Sequence, residues 1–275
     1  MSRDNAASPT AALESIMITG VIEAKEERDI MTCDIPNEFI QAFLPRKKPN
    51  EDRVVMKITG VLVDMLIEIN PELYGPTVVL ENGKKVLYVE VLRAIYGMLE
   101  AALLWYKKFR DDLEENGFEF DPYDPCVANK RVKGSQQTII FHVDDLKSSH
   151  ALKQVNDEFE KWLNIKYGKH GKVTSTRGKV HDYLGMQLDY RKKGQLDICM
   201  EKYEKSMIEE FPIKMGSKDV ARMPAANSLF NYGTGAKLDT KRAEIFHTTV
   251  AKGLFLCKRA RPDIQQAISV LCIRL

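Results

Sequence analysis

Long apolar runs are missing from this chain. Stretches such as Gly60 to Leu66 are interrupted by Asp64, far short of the roughly 18 residues a membrane-spanning helix needs. No membrane partner is expected. The first ten residues carry Arg3 and Asp4 but neither an apolar core nor a small-residue cleavage site. A secretory signal is therefore not read, and a cytoplasmic location is the expectation. Cysteine is sparse: Cys33, Cys126, Cys199, Cys257 and Cys272 lie at least 15 residues apart. An odd count at that spacing fits neither a disulfide framework nor a zinc site, so the thiols are expected to be reduced and buried. Repeats and low-complexity segments are absent too, and the composition excludes disorder, collagen and coiled coil.

What remains is ordinary globular composition, with 44% hydrophobic and 29% charged residues and a mean hydropathy of -0.31. At 275 residues the chain has the length of one large or two modest domains. Net charge is only +2, but it is segregated. Residues 161 to 193 hold nine Lys or Arg against Asp182 and Asp189, a balance of +7, whereas residues 100 to 125 carry eight acids against Lys107, Lys108 and Arg110, a balance of -5. The basic segment either grips phosphates or forms a solvated face.

Local signals give an element order. Ser8-Pro9-Thr10 reads as a helix start leading to Leu13, Ile16, Met17 and Ile18. Ile30 to Ile35 has the β-branched character of a strand, stopped by Pro36, which lacks a ladder donor. Val54 to Ile69 is apolar with a period that does not decide between helix and strand. Glu81 to Lys84 is a hairpin turn signal. Met98, Ala101, Ala102, Trp105, Phe109 and Asp112 step at helical intervals and end before Asn116-Gly117. Pro122 to Asn129 and Gln137 to Val143 read as strands joined by a basic turn, Lys153 to Leu163 as a helix, and Tyr183 to Tyr190 with Gln195 to Met200 as a hairpin. A helical tail from Ala243 to Arg274 is interrupted at Arg261-Pro262. The order predicts an α+β fold with a mostly antiparallel sheet.

Two strand ends bear carboxylates. Asp34 follows Ile30 to Cys33, and Asp144 with Asp145 follows Thr138 to Val143. Carboxylates from neighbouring strands suit hard divalent cations, although paired aspartates after a strand are more often a polar turn.

Asp34-Ile35-Pro36-Asn37-Glu38-Phe39, Ile95-Tyr96-Gly97-Met98-Leu99-Glu100 with Trp105, Tyr123-Asp124-Pro125-Cys126, Phe141-His142-Val143-Asp144-Asp145, Tyr183-Leu184-Gly185-Met186 and Arg261-Pro262-Asp263-Ile264 occur in that order. In these segments the chain resembles the reverse transcriptase domain of Ty1/copia-type retrotransposons. The resemblance implies a polymerase palm with incomplete fingers over residues 1–190 and a helical thumb or connection region over 191–275. It implies RNA-directed DNA polymerisation with two Mg²⁺ ions, or Mn²⁺ in their place, held by Asp34, Asp144 and Asp145. Phe39 would block a ribose 2′-hydroxyl, while Tyr96, Gly97 and Glu100 would adjoin the incoming nucleotide. His142, Leu184, Gly185 and Met186 would contact the primer. Trp105 reads as a core anchor. The implied partners are an RNA template, a DNA primer, deoxynucleoside triphosphates, and the fingers and RNase H regions of a longer polyprotein. His142 stands where the family commonly has tyrosine, Glu38 where the residue is usually small, and Glu100 where glutamine is usual. The alternatives are a catalytically inactive nucleic-acid-binding remnant and an unrelated Mg²⁺-dependent phosphohydrolase.

Overall fold

The computed structural model describes residues 7–45, 53–213, 216, 223–231 and 237–274. In chain order the elements are α1 (Leu13–Lys25), β1 (Asp29–Asp34), α2 (Glu38–Gln41), β2 (Val55–Thr59), α3 (Val61–Ile69), α4 (Pro71–Tyr74), β3 (Val78–Glu81), β4 (Lys84–Glu90) and α5 (Ala101–Glu115). There follow β5 (Glu119–Phe120), β6 (Val127–Val132), β7 (Ser135–His142), β8 (Asp145–His150), α6 (Lys153–Tyr167), β9 (Thr174–Gly178), β10 (Val180–Tyr183), β11 (Met186–Asp189), β12 (Asp197–Cys199), α7 (Glu201–Glu209), α8 (Thr240–Arg259) and α9 (Gln265–Cys272). The fold is mixed α+β with antiparallel sheets.

The principal sheet has the order β5-β6-β7-β8-β1-β9, and every pairing in it is antiparallel. Side chains alternate between its faces with the period of two that a pleated strand imposes. Met31, Cys33, Ile139, Phe141 and Leu146 share one core with Trp105, Phe109 and Leu113 of α5 and Phe159, Leu163 and Tyr167 of α6. Ile30, Val127 and Ile140 enter a second core with Ile16 and Ala24 of α1, Tyr183, Met186 and Leu188 of the β10–β11 hairpin, and Leu256 of α8. Two smaller sheets, β2-β4-β3 and β10-β11-β12, complete the β structure.

Several expectations need correction. The first helix starts at Leu13 and not at Ser8-Pro9-Thr10: the Ala12 N–H donates to Asp124 Oδ2 at 2.9 Å, so a distant carboxylate serves as the cap. Val54 to Ile69 contains both candidates, β2 and α3, with Gly60 at φ 70° making the break. The expected strand from Tyr183 to Tyr190 is split by a turn at Leu184 (φ 50°) and Gly185 (φ 79°), which creates the β10–β11 hairpin. Strands β8 and β9 were not expected. Strands β11 and β12 pair with each other across residue 190. Cys33, Cys126 and Cys257 are buried, whereas Cys199 is exposed and Cys272 half-buried. Among the described residues no helix is long and apolar enough to cross a membrane.

Candidate active site

Strand register brings the sequence-predicted aspartates together. β1 lies beside β8, with Asp34 directly opposite Asp145, and across the β7–β8 hairpin His142 is opposite Asp145. Directly opposed Cα atoms in an antiparallel pair lie about 4.5–5.5 Å apart. Asp34, Asp145 and His142 therefore form a row across three strands at one sheet end. Asp144 occupies the two-residue turn Val143-Asp144 that joins β7 to β8. None of the three aspartate side chains has an ion-pair or hydrogen-bond partner among the described residues. Burial, followed by the charges of Asp144 and Asp34, raises the Asp145 carboxyl above its ordinary range.

The turn is strained. Val143 has φ 62°, a left-handed value that is a genuine outlier for a β-branched residue. Trp105, 1% exposed, donates its indole Nε1–H to the Val143 carbonyl at 2.7 Å. The residue expected to be a core anchor is thus also tied to the aspartate turn. Its helical spacing reveals the anchor, but nothing local reveals the bond.

The segment after β1 forms a second wall. Glu38 is 3% exposed, and both its carboxylate oxygens accept from the Tyr96 hydroxyl at 2.7 Å. Burial raises the Glu38 carboxyl above its ordinary value, and Asp144 and Asp34 add to the effect. Burial and the Glu38 carboxylate push the Tyr96 phenol up to about 12. The Phe39 ring meets Tyr96 edge-on at 4.6 Å and packs beside Ala42, Ala94 and Ala101. Gly97, at φ 89°, provides the left-handed residue in the turn before α5. Glu100 stands half-buried at the α5 N-terminus, where its carbonyl accepts the Leu104 N–H and its side chain makes no cap.

The β10–β11 hairpin packs on the same sheet face as the aspartates, with the Tyr183 hydroxyl donating to the Ile140 carbonyl at 3.3 Å. A Cβ at Gly185 would lie 3.5 Å from the Phe255 ring of α8, so the hairpin tip is backed by that helix. Met186 is 1% exposed and belongs to the core. Of the hairpin residues expected from sequence to meet a primer, Leu184 is half-buried and Gly185 exposed. His142 is half-buried on the aspartate face, with Nδ1 buried and unpartnered.

Much of the basic segment is neutralised within the chain. Lys166 pairs with Asp112 and Glu115, Arg177 with Asp29 and Asp157, Arg191 with Asp189, Lys192 with Asp197 and Lys193 with Glu27. Lys169 and Lys172 are exposed and have no ion-pair partner among the described residues. Their loop is latched beside the aspartates: Asn37 Nδ2 donates to the His170 carbonyl at 3.2 Å, and Gln41 Nε2 to the Tyr167 carbonyl at 3.1 Å. Just beyond the loop, Thr174 of β9 is registered opposite Asp34. The positive balance of this segment was legible in sequence; the position of its free lysines was not.

As the side chains stand, no group of three or more His, Cys, Asp or Glu among the described residues closes on a point that could hold a metal ion. Asp34 and Asp145 on facing strands and Asp144 in the adjoining turn offer carboxylate oxygens, the donor type of hard divalent cations, at one end of the sheet.

No protein-family model matches the chain. Over 204 residues, 69% of the chain, it is 22% identical to a Retrovirus-related Pol polyprotein from transposon TNT 1-94 of Nicotiana tabacum, of which the match spans 14%. Over 182 residues, 66% of the chain, it is 22% identical to a putative transposon Ty5-1 protein of Saccharomyces cerevisiae, of which the match spans 56%. The chain is thus weakly similar, at 22% identity, to Ty1/copia-type retrotransposon polyproteins. It corresponds to only part of either relative's length. A solved telomerase from Candida albicans, in complex with a fragment of telomeric RNA, superposes at a TM-score of 0.33 and 10% identity, covering 99% of this chain and 53% of that one. At that score the superposition is not evidence of a shared fold.

Proposed function

We propose that this chain is the RNA-directed DNA polymerase region of a Ty1/copia-type retrotransposon polyprotein. It extends a DNA primer on an RNA template with deoxynucleoside triphosphates. The observation that carries the reading is the register of Asp34 against Asp145, with Asp144 in the adjoining turn. In this reading the principal sheet is the polymerase palm, β2-β4-β3 with α3 belongs to partial fingers, and the helices after residue 191 form a thumb or connection region.

A pair of Mg²⁺ or Mn²⁺ ions, when bound, supplies charge neutralisation and activates the attacking hydroxyl. Asp34 and Asp145 would hold it from facing strands and Asp144 from the turn. Phe39, Tyr96 and Gly97 wall the nucleotide side, and Glu100 stands at its edge. His142 and the Leu184-Gly185 tip lie toward the primer, and Trp105 holds the aspartate turn through the Val143 carbonyl. Exposed Lys169 and Lys172 offset phosphate charge beside Asp34. Positioning and electrostatic stabilisation do most of the work in such phosphoryl transfer.

The test is extension of an oligo(dT) primer on poly(rA) with labelled dTTP and Mg²⁺. Incorporation that vanishes in Asp34→Asn and Asp145→Asn supports the reading. The second reading, an inactive nucleic-acid-binding remnant, is favoured by carboxylates that do not close on a common point. It requires a salt-sensitive mobility shift with no incorporation.

A further inference from the structure

We propose that Tyr123 is a stacking platform for an unpaired nucleobase of the template–primer. The proposal rests on the polymerase reading above and gives a role to the Tyr123-Asp124-Pro125-Cys126 segment, which that reading leaves unused.

Tyr123 is 94% exposed, and no hydrogen bond or ring contact reaches its side chain among the described residues. An aromatic ring left in water this fully adds nothing to the core. The turn that carries it is nonetheless fixed from several sides. Asp121 Oδ1 accepts the N–H groups of Tyr123 and Asp124 at 2.8 and 3.1 Å, and the Asp121 N–H donates to the Val127 carbonyl at 2.9 Å. Asp124, 5% exposed, accepts the N–H groups of Cys126 and Ala12, both at 2.9 Å. The Tyr106 hydroxyl donates to the Pro125 carbonyl at 3.1 Å. Pro122 and Pro125, both exposed, restrict the backbone on either side. Both acids of the turn are held by backbone donors, so the ring is flanked by prolines and not by free carboxylates. A rigid backbone carrying a side chain with two rotatable bonds loses little entropy when a flat ligand lands on it.

Strand register places this turn at the aspartate end of the sheet. Val127 is opposite Ile140, and beyond that pair the Phe141 N–H donates to the Cys126 carbonyl at 3.1 Å. Phe141 is in turn opposite Leu146, the residue after Asp145. Cys126 thus lies two strand spacings from β8, about 10 Å. Tyr123 is three residues further along the chain, at most about 10 Å more. Its backbone therefore stands within about 20 Å of Asp145, a distance that one nucleic-acid strand crosses in roughly six nucleotides at about 3.4 Å each. A base inside a duplex has a neighbour on either face, so only an unpaired base offers a face to the ring. A template–primer has two sources of such a base: the single-stranded template beyond the duplex, and a frayed primer terminus.

The experiment measures equilibrium binding of the full chain to three labelled RNA–DNA hybrids: one blunt, one with a template extension of about eight nucleotides, and one with a few mismatched nucleotides at the primer 3′ end. Wild type, Tyr123→Ala and Tyr123→Trp are compared over a range of salt, with a thermal melt and a primer-extension assay of each. Tyr123→Ala is expected to bind roughly fivefold more weakly, or worse, to the hybrid that supplies the base; fivefold is about 1 kcal/mol, the lower end of base–aromatic stacking. Its affinity for the blunt hybrid and its salt slope stay at the wild-type values, because no phosphate contact is lost. Tyr123→Trp binds at least as well as wild type, and all three melt together. A loss on the extended template assigns the base to the template, and a loss on the mismatched hybrid assigns it to the primer. No loss on either, an equal loss on the blunt hybrid, or a changed salt slope overturns the proposal and leaves the polymerase reading intact. Wild-type protein that binds without extending overturns the polymerase reading, while the binding comparison still decides for Tyr123. Wild-type protein that does neither overturns both.

Discussion

Lys147 is the most consequential charged residue in the interior. It lies on β8 two residues beyond Asp145, is 1% exposed, and meets Glu23 of α1, itself 2% exposed, at 2.5 and 2.6 Å from the two carboxylate oxygens. The Tyr190 hydroxyl donates to the same carboxylate at 2.7 Å. The pair therefore joins the first helix, a central strand and the end of β11 in one polar contact within an apolar surround. Desolvation makes such a pair a modest net stabiliser, but breaking it strands a buried charge. Lys147→Met keeps the side-chain length, removes the cation and leaves Glu23 with the tyrosine alone. The expected loss is about 3–5 kcal/mol, the usual cost of orphaning one partner of a buried ion pair. In urea at pH 7, with a slope of about 3 kcal/mol per molar, the unfolding midpoint should drop by more than roughly 1 M. Lys147→Met combined with Glu23→Leu, which removes both charges, should recover most of that loss, because the penalty lies in the unpaired ion and not in the missing attraction. A single variant that loses less than about 1 kcal/mol, or a double variant no more stable than the worse single, refutes this account of the pair.

Trp105→Phe removes the hydrogen bond to the Val143 carbonyl while keeping an aromatic ring; it should cost on the order of 1 kcal/mol in stability and lower kcat for primer extension with little change in nucleotide KM, whereas an unaltered kcat would show that the turn holds itself. Replacing Lys169 and Lys172 by alanine should weaken duplex binding and reduce the slope of log affinity against log salt by up to about 2, the counterion release of two phosphate contacts; unchanged affinity and slope would make the loop a plain solvated surface. His181 is completely buried, with ring contacts to Thr32 Oγ1 and the Gly178 carbonyl, and burial lowers its pKa. The folded state therefore resists protonation that the unfolded chain accepts at about 6.5, so this contribution to stability is full above that pH and declines as pH falls below it, by at most about 1.4 kcal/mol per unit. Urea midpoints between pH 7 and 5 should fall more steeply for wild type than for His181→Gln, and parallel curves would contradict the assignment.

The elements that could be read from sequence are those whose burial is written in their own residues. Strand β7 is such a case, because Thr138 to Phe141 are apolar or β-branched and each is buried. Strand β8 is the opposite. Leu146-Lys147-Ser148-Ser149-His150 carries four polar residues in five, yet all five are buried at the centre of the sheet. Three of the four are satisfied by partners elsewhere, Glu23 for Lys147, Asn156 for Ser148 and the Val132 carbonyl for His150, while the buried Ser149 hydroxyl has none among the described residues. Hydropathy measures the transfer of an isolated side chain, so it cannot register a polar residue whose partner stands 124 positions away. The same non-locality explains the basic segment. Its charge was countable, but the pairing of Arg177 with Asp29 joins residues 148 apart and removes a cation from the surface inventory.

The candidate site divides along the same line. That Asp34 and Asp145 stand at strand ends is a local property, since Pro36 ends one strand and the apolar run before Asp144 ends the other. That they face each other depends on where β1 inserts. It sits between β8 and β9 with both neighbours antiparallel, and a slip of β1 by one residue would turn Ile30 out of the second core and Met31 and Cys33 out of the first. The two apolar cores thus enforce the register that opposes the carboxylates. Like charges directly opposite each other destabilise an antiparallel pair, and burial together with Asp144 and Asp34 already disfavours ionisation of Asp145. Packing elsewhere in the sheet offsets that repulsion, so the acidic end is a place where the fold holds together groups that would separate if free to do so. Under the polymerase proposal, that retained repulsion is what brings the cation-holding carboxylates to one sheet end.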